Sequence, residues 1–592
     1  MSALSDWGDA QRSVLGDTAQ DAATLAKLGY ADKLFRGFSA VDSFAFCFTS
    51  VAVLSSLAAT LSTGLTNGGP AVVICGWLSV SALTILTGAV MAEICSSFPS
   101  AGSVYHWAGV LASPRWGPFA AYVSGWFNLL GNAAGVASFG FTFASSLAAA
   151  IDMANFSPAC ELATAALVAA CADNVYDDDV ATCLPAAPCA GALRYPACCF
   201  PAGYDPLLPN VGAQVGIAMA VSLLWALGNT CRMDVQGRLN SFAMYFQFAS
   251  VLVIAATLFA CAARANPGGL APSAFVWGAY FNGSGFTGGD GIQVYVGLTG
   301  LLTALFSFSG YDAGAHAAEE TRNSDRATPV GIIATCASVA ACGVLLITAF
   351  LYSIPYSGVA ITADMAAANP GSLAPLVGMD LGVFNILTAQ PAPGNPVVNI
   401  FYYVAGPRGG LGLACLLVIN LFFAGFASLT VTSRIAYAMA RDGALPFSAA
   451  LTRVGTNWIP TNTVILVFAV DLLLLLLPLA TVNTPAVTTP IAFFAVTGLT
   501  TIGYQVSYAV PIFLRAALAD DFPKGPVHLG RWSVPAAWVA GVFLTATSLI
   551  FFWPITYPVT EVRGARRRAR GCTRARAASN ASLAPAPKRR AI

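Results

Sequence analysis

One carboxylate in this chain sits where an apolar segment should exclude it. In the run Phe306-Ser-Phe-Ser-Gly-Tyr-Asp312, Asp312 follows Ser309 and Gly310 by about one helical turn. A straight helix would lose its order at Ser309-Gly310, so the segment is expected to be a broken helix lining a polar site. An ionisable residue inside an apolar segment points to function by default, and a buried carboxyl can exchange a proton or face an amine. The competing reading is a structural acid bonded to the unwound backbone. The segment then continues through Glu319, Glu320, Arg322 and Arg326 to Pro329.

Other polar residues in apolar surroundings are sparse. The first apolar run, Phe38 to Gly64, carries Asp42 near its entrance and the interval Ser55-Ser56-Leu57-Ala58-Ala59-Thr60, whose small residues predict a second weak stretch of helix. Asn128 and Asn132 either reach the same cavity or hold helices together. Ser428, Thr430, Thr432 and Ser433 could offer hydroxyls to sodium, but such residues more often bond their own backbone. Asp42 and Asp471 are expected to be structural, and Glu93, Glu319, Glu320 and Arg322 to be solvated helix ends rather than a gate. His106, His316 and His528 are too far apart in sequence for a metal cluster, and no phosphate-binding glycine loop with its lysine occurs. No enzyme, cofactor or metal is expected.

The elements that position these residues must be membrane helices. The chain has 592 residues, 57% hydrophobic and only 9% charged, whereas soluble domains carry about 25% charged residues. Eleven apolar runs recur, each near the ~20 residues that cross a bilayer core. A net charge of +1 gives no reason to expect a nucleic-acid partner. Between Asp152 and Asn210 lie Asp177-Asp178-Asp179, several prolines and six of the fifteen cysteines, which reads as an exported loop with undetermined disulfide pairing. With the N-terminus inside, fifteen Lys and Arg fall on the inner side and three on the outer side, and ten more lie in the tail; the loops obey the positive-inside rule. An eleventh crossing would place that basic tail outside, so either run eleven does not span or a twelfth helix has been lost.

Runs one and six, the two with weak centres, stand at corresponding places if runs one to five and six to ten are inverted repeats. Paired broken helices of this kind mark the midplane site of a transporter. The chain resembles the amino acid/polyamine/organocation transporter superfamily, within it the eukaryotic and fungal amino acid permeases for GABA, choline and bidirectional amino acid transport. The residues that carry the resemblance include Thr63-Gly-Leu-Thr-Asn-Gly-Gly-Pro70, Met91 to Trp107, Gly125-Trp-Phe-Asn-Leu-Leu-Gly131, Phe308 to Pro329, Ala440-Arg-Asp-Gly-Ala-Leu-Pro446 and Pro554-Ile-Thr-Tyr-Pro-Val-Thr560.

The resemblance implies an all-α membrane protein with a five-plus-five inverted-repeat transporter fold, discontinuous first and sixth helices, and eleven transmembrane helices where the family has twelve. It divides the chain into a cytoplasmic N-terminus (1–37), a first repeat (38–263) with an extracellular insert (152–210), a second repeat (264–514), the eleventh helix with its flanks (515–560) and a disordered, aberrant basic tail (561–592). It implies that Ser55, Ser56 and Leu57 present free amides to a substrate carboxylate, faced by Asn132, Phe306, Ser309, Gly310 and Asp312, with Asp312 also the coupling residue. Ser55-Ser56 departs from the Thr-Gly that relatives often carry. The implied activity is secondary transport of amino acids, GABA and related amines among them, across a plasma membrane or endomembrane, coupled to a proton in preference to sodium. The alternative is a sensor or inactive truncated carrier that keeps the fold.

Overall fold

In the computed structural model of the protein, the described residues are 38–156, 207–361, 378–480 and 491–555, less 209, 232, 266–268, 287, 389–391, 393 and 455–458, together with Ala26. The expectations for the N-terminus, for the six cysteines between 160 and 199 and for the basic tail lie outside them. Where described, the chain is helical and no strand forms; only isolated bridges occur.

The first apolar run forms α1 (Ala40–Val51) and α2 (Val53–Thr66). A capping box starts α1: Ser39 Oγ accepts from the Asp42 amide, and the Asp42 carboxylate accepts from the Ser39 amide. Asp42 also accepts from Ser241 Oγ at 2.7 Å, so its role is structural, as expected. The following helices are α3 (Gly69–Ser97), α4 (Ser103–Leu111), α5 (Gly117–Asn155), α6 (Val211–Gly228) and α7 (Met233–Ala265). Pro70 and Pro118 stand in the first turns of α3 and α5, where a missing amide hydrogen costs nothing.

The sixth run is in pieces: α8 (Asp290–Gly300), α9 (Leu302–Ser307) and α10 (Ala313–His316). Then come α11 (Ser324–Ser353), α12 (Pro396–Arg441), α13 (Thr461–Leu475), α14 (Ile491–Leu518) and α15 (Ser533–Phe551). The long α12 joins two helices across Gly406, whose φ of 72° precedes Pro407. Among the described residues ten helices are long and apolar enough to cross a membrane, counting α1–α2 as one. The pieces of the sixth run, 11, 6 and 4 residues long, are each too short to be counted among them.

The α1–α2 pair is the centre of the molecule. Its most apolar window is 94% buried, whereas that of α13 is 33% buried. Asp152, near the end of α5, accepts from the Leu207 and Leu208 amides at 3.0 and 2.9 Å, so the cysteine-rich insert leaves and rejoins the bundle at one place.

Candidate functional site

The first helix breaks, but not where its composition points. Ser55 to Thr60 lie in regular helix, and the break is at Ala52, whose φ of 44° and ψ of 68° are left-handed. A non-glycine residue pays for that conformation, and it holds because the surroundings fix it. Small residues weaken a helix only slightly in a packed bundle, so tertiary contacts chose the position. The Ser56 amide still donates to Ala52 O at 2.9 Å, and Ser56 Oγ donates to Val51 O at 2.7 Å. Ser56 therefore repairs the break, and Leu57 is buried inside α2. Val53, Leu54 and Ser55 occupy the first turn of α2, where helix amides have no intrahelical acceptor; no side chain caps them. Ser55 Oγ is buried and has no hydrogen-bond partner.

The sixth helix breaks where expected. Between α9 and α10, Gly310 takes a φ of 88°, a region open to glycine at little cost. Two bonds fix its level against α1–α2. The Gly314 amide donates to Cys47 Sγ at 3.0 Å, and Thr303 Oγ1 donates to Thr60 O at 2.8 Å. These pairs run antiparallel, which puts Ala52 level with Ser309 and Gly310. The positive end of the α2 dipole, with the unpartnered Ser55 hydroxyl, thus starts at the depth where the sixth helix is unwound.

The other singled-out residues gather around the second break. Phe306 is buried, its ring centroid 6.0 Å from that of Phe139. Ser309 Oγ donates to Leu305 O at 3.1 Å. Asn132 Oδ1 accepts from Tyr504 Oη at 2.7 Å, and a methyl built on Gly310 would stand 3.1 Å from that same oxygen. Asn128 donates to Ser507 Oγ at 3.2 Å, an interhelical tie.

Asp312 is fully buried and does not bond the unwound backbone. Its Oδ1 accepts from Tyr508 Oη at 2.6 Å, and its Oδ2 lies 3.0 Å from His316 Nε2. Tyr504 and Tyr508 carried no signal in the sequence. His316 did: it stands four residues after Asp312, one helical turn on, a spacing at which two side chains meet on one helix face.

At one end of the molecule lie three carboxylate–guanidinium pairs. Glu320 meets Arg434 Nε at 3.0 Å, Glu319 meets Arg441 at 2.9 Å, and Glu93 meets Arg515 at 3.4 Å. All three glutamates are 1–2% exposed. They are not solvated helix ends, because Arg434 and Arg441 close over them from α12, and Arg515 from α14. Ser533 Oγ also donates to Glu93 Oε2. Burial pushes the Glu320 carboxyl above its ordinary range, and the Arg434 charge opposes that rise. Burial lowers His106, on α4, to about 4.

Thr432 and Ser433 donate to Ser428 O and Thr430 O, one turn back in α12, at 2.8 and 2.7 Å. Thr430 Oγ1 donates to Phe426 O at 3.0 Å and also meets Asn229 Oδ1. These hydroxyls are spent on protein acceptors. Asp471 is buried on α13 with neither oxygen in a hydrogen bond of normal geometry. Among the described residues no group of His, Cys, Asp and Glu is placed to hold a metal.

The pattern that defines the family described as amino acid permease matches residues 38–563. A rice protein named amino-acid permease BAT1 homolog is 30% identical over 562 residues, covering 93% of this chain and 91% of its own length. The GABA-specific permease of Saccharomyces cerevisiae is 25% identical over 92% of this chain and 80% of its own length. The thiamine transporter thi9 of Schizosaccharomyces pombe is 25% identical over 92% of this chain and 82% of its own.

Proposed function

We propose that this chain, which belongs to the amino acid permease family, is an integral membrane carrier that moves amino acids by alternating access and couples their movement to a proton. The observation that carries this reading is the pair of helix breaks held at one level. An uncapped helix start and an unpartnered Ser55 hydroxyl there lie level with an unwound segment bearing Asp312. Exposed amides at a helix N-terminus suit a carboxylate, and the substrate carboxylate binds at Val53, Leu54 and Ser55. Phe306, Ser309 and Gly310 form the facing wall, with Asn132 acting through Tyr504. Ser56 and Leu57 shape this segment from within the helix.

Asp312 is the coupling group, and a proton fits it better than sodium does. Its oxygens already hold Tyr508 and His316, and the Thr430, Thr432 and Ser433 hydroxyls of α12 bond protein acceptors. The charge of the loops supports an N-inside orientation. In that orientation Glu319, Glu320 and Glu93 with their arginines form a closed cytoplasmic gate. The chain divides at about residues 263 and 514 into two inverted repeats and an eleventh helix, with the cysteine-rich insert outside.

Relatives named for GABA and for thiamine differ in substrate, so the test is a panel. Purified protein in proteoliposomes is offered labelled amino acids, GABA and thiamine, with and without an inward proton gradient. At least one amino acid should accumulate faster with the gradient. Binding without movement would overturn the carrier reading in favour of a sensor, and uptake indifferent to the gradient would overturn the proton.

A further inference from the structure

We propose that Asp312 and His316 form one proton-binding dyad, and that the Ala101 peptide links its loading to the gate at Glu319. This rests on the proton-coupled reading above and names a second member of the site, His316, with the route by which the gate senses the proton.

The hydrogen count carries the inference. His316 Nδ1 lies 3.2 Å from Ala101 O; a carbonyl oxygen only accepts, so Nδ1 must bear a hydrogen. His316 Nε2 lies 3.0 Å from Asp312 Oδ2. A neutral ring already protonated at Nδ1 has a bare lone pair at Nε2, and a carboxylate oxygen has no hydrogen to offer. That contact is therefore made only with one further proton, on the imidazole or on the carboxyl. The other carboxyl oxygen is held by Tyr508. The titratable groups facing Asp312 are Cys47 from α1, Cys95 from α3, Cys336 from α11, Tyr311 from its own segment, and Tyr504 and Tyr508 from α14. None of them is a cation, and the ion-pair partner of Asp312 among the described residues is His316.

Ala101 is gripped on both sides. Its carbonyl takes His316 Nδ1, and its amide donates to Glu319 Oε1 at 3.0 Å; Glu319 in turn holds Arg441. While this end is closed, the Ala101 carbonyl requires the hydrogen on Nδ1 and so favours the loaded dyad. When the gate opens and the peptide withdraws, the ring can change tautomer. Nε2–H then donates to the carboxylate and the extra proton is released. Loading thus belongs to the closed gate and release to the open one, which drives a proton inward. By linkage, weakening the gate must weaken proton binding by the same factor.

The test reads the protonated-carboxyl stretch of the purified protein by infrared spectroscopy across a pH series, with Asp312→Asn identifying the band. His316→Gln should shift its midpoint by about one pH unit or more, and Glu319→Gln should shift it to lower pH by a similar amount. Gel-filtration profiles check folding, and His316→Asn replaces His316→Gln if the latter fails. An Asp312 band that titrates identically in wild type and the His316 variant overturns the dyad; one unmoved by Glu319→Gln overturns the link. Gradient-indifferent uptake by wild type would sink the coupled reading alone, because the spectra decide the dyad without transport.

Discussion

Gly310 leaves open the space beside Tyr504 at the second helix break: the glycine has φ 88°, and a Cβ there would lie 3.1 Å from the Tyr504 hydroxyl oxygen. The hydroxyl is held in place by Asn132 on α5. The unwound segment, α5 and α14 are thereby fitted to one another at a single point.

Gly310→Ala adds both left-handed strain, of order 1–2 kcal/mol, and pressure on the Asn132–Tyr504 bond. Transport should fall about tenfold or more with the protein still inserted. Initial uptake rates normalised to protein incorporated in liposomes check this; a rate unchanged from wild type would show that the segment accommodates a side chain.

Ser55→Ala separates a binding role from a structural one. A buried hydroxyl with no partner is a cost of about 1–3 kcal/mol to the empty protein, so the variant should be at least as heat-stable as wild type. Its KM should nevertheless rise, by about tenfold for one lost hydrogen bond to a charged carboxylate. Thermal unfolding and uptake kinetics measured on the same preparation decide; a drop in stability with unchanged KM would assign Ser55 to the scaffold.

Arg434→Gln leaves Glu320 buried without its cation, at a cost of about 3–5 kcal/mol. The double substitution Glu320→Gln with Arg434→Gln removes the stranded charge and should recover most of that stability. Thermal midpoints in detergent check the pair. Equal losses in the single and double variants would mean that Arg434 acts through its other contacts.

His106 predicts a pH dependence whose sign follows from proton counting. Burial lowers the folded value to about 4, from an ordinary 6.5. Between those values the unfolded chain binds a proton that the folded protein does not, so stability falls as pH drops through this window and is unaffected above it. The contribution is on the order of 3 kcal/mol. His106→Gln should lose less stability than wild type on going from pH 7 to pH 4.5, as read from thermal midpoints; parallel curves would rule His106 out as the source.

The class of the protein was legible in its residues alone. Eleven apolar runs separated by charged loops can only satisfy their backbone as helices in lipid, and an acid beside Ser309-Gly310 placed the sixth-helix break correctly, because glycine there removes the steric bar to positive φ. The remainder came from contacts between distant parts of the chain. The first break moved to Ala52, since burial and the contacts of Cys47 and Thr60 with the sixth helix outweigh the weak preferences of Ser55 to Thr60. The charged ends became buried ion pairs, because their arginines arrive from helices more than a hundred residues away. His316 was legible one turn beyond Asp312, but Tyr508 and the Ala101 peptide come from distant parts of the chain. No local pattern of residues records which distant groups will meet.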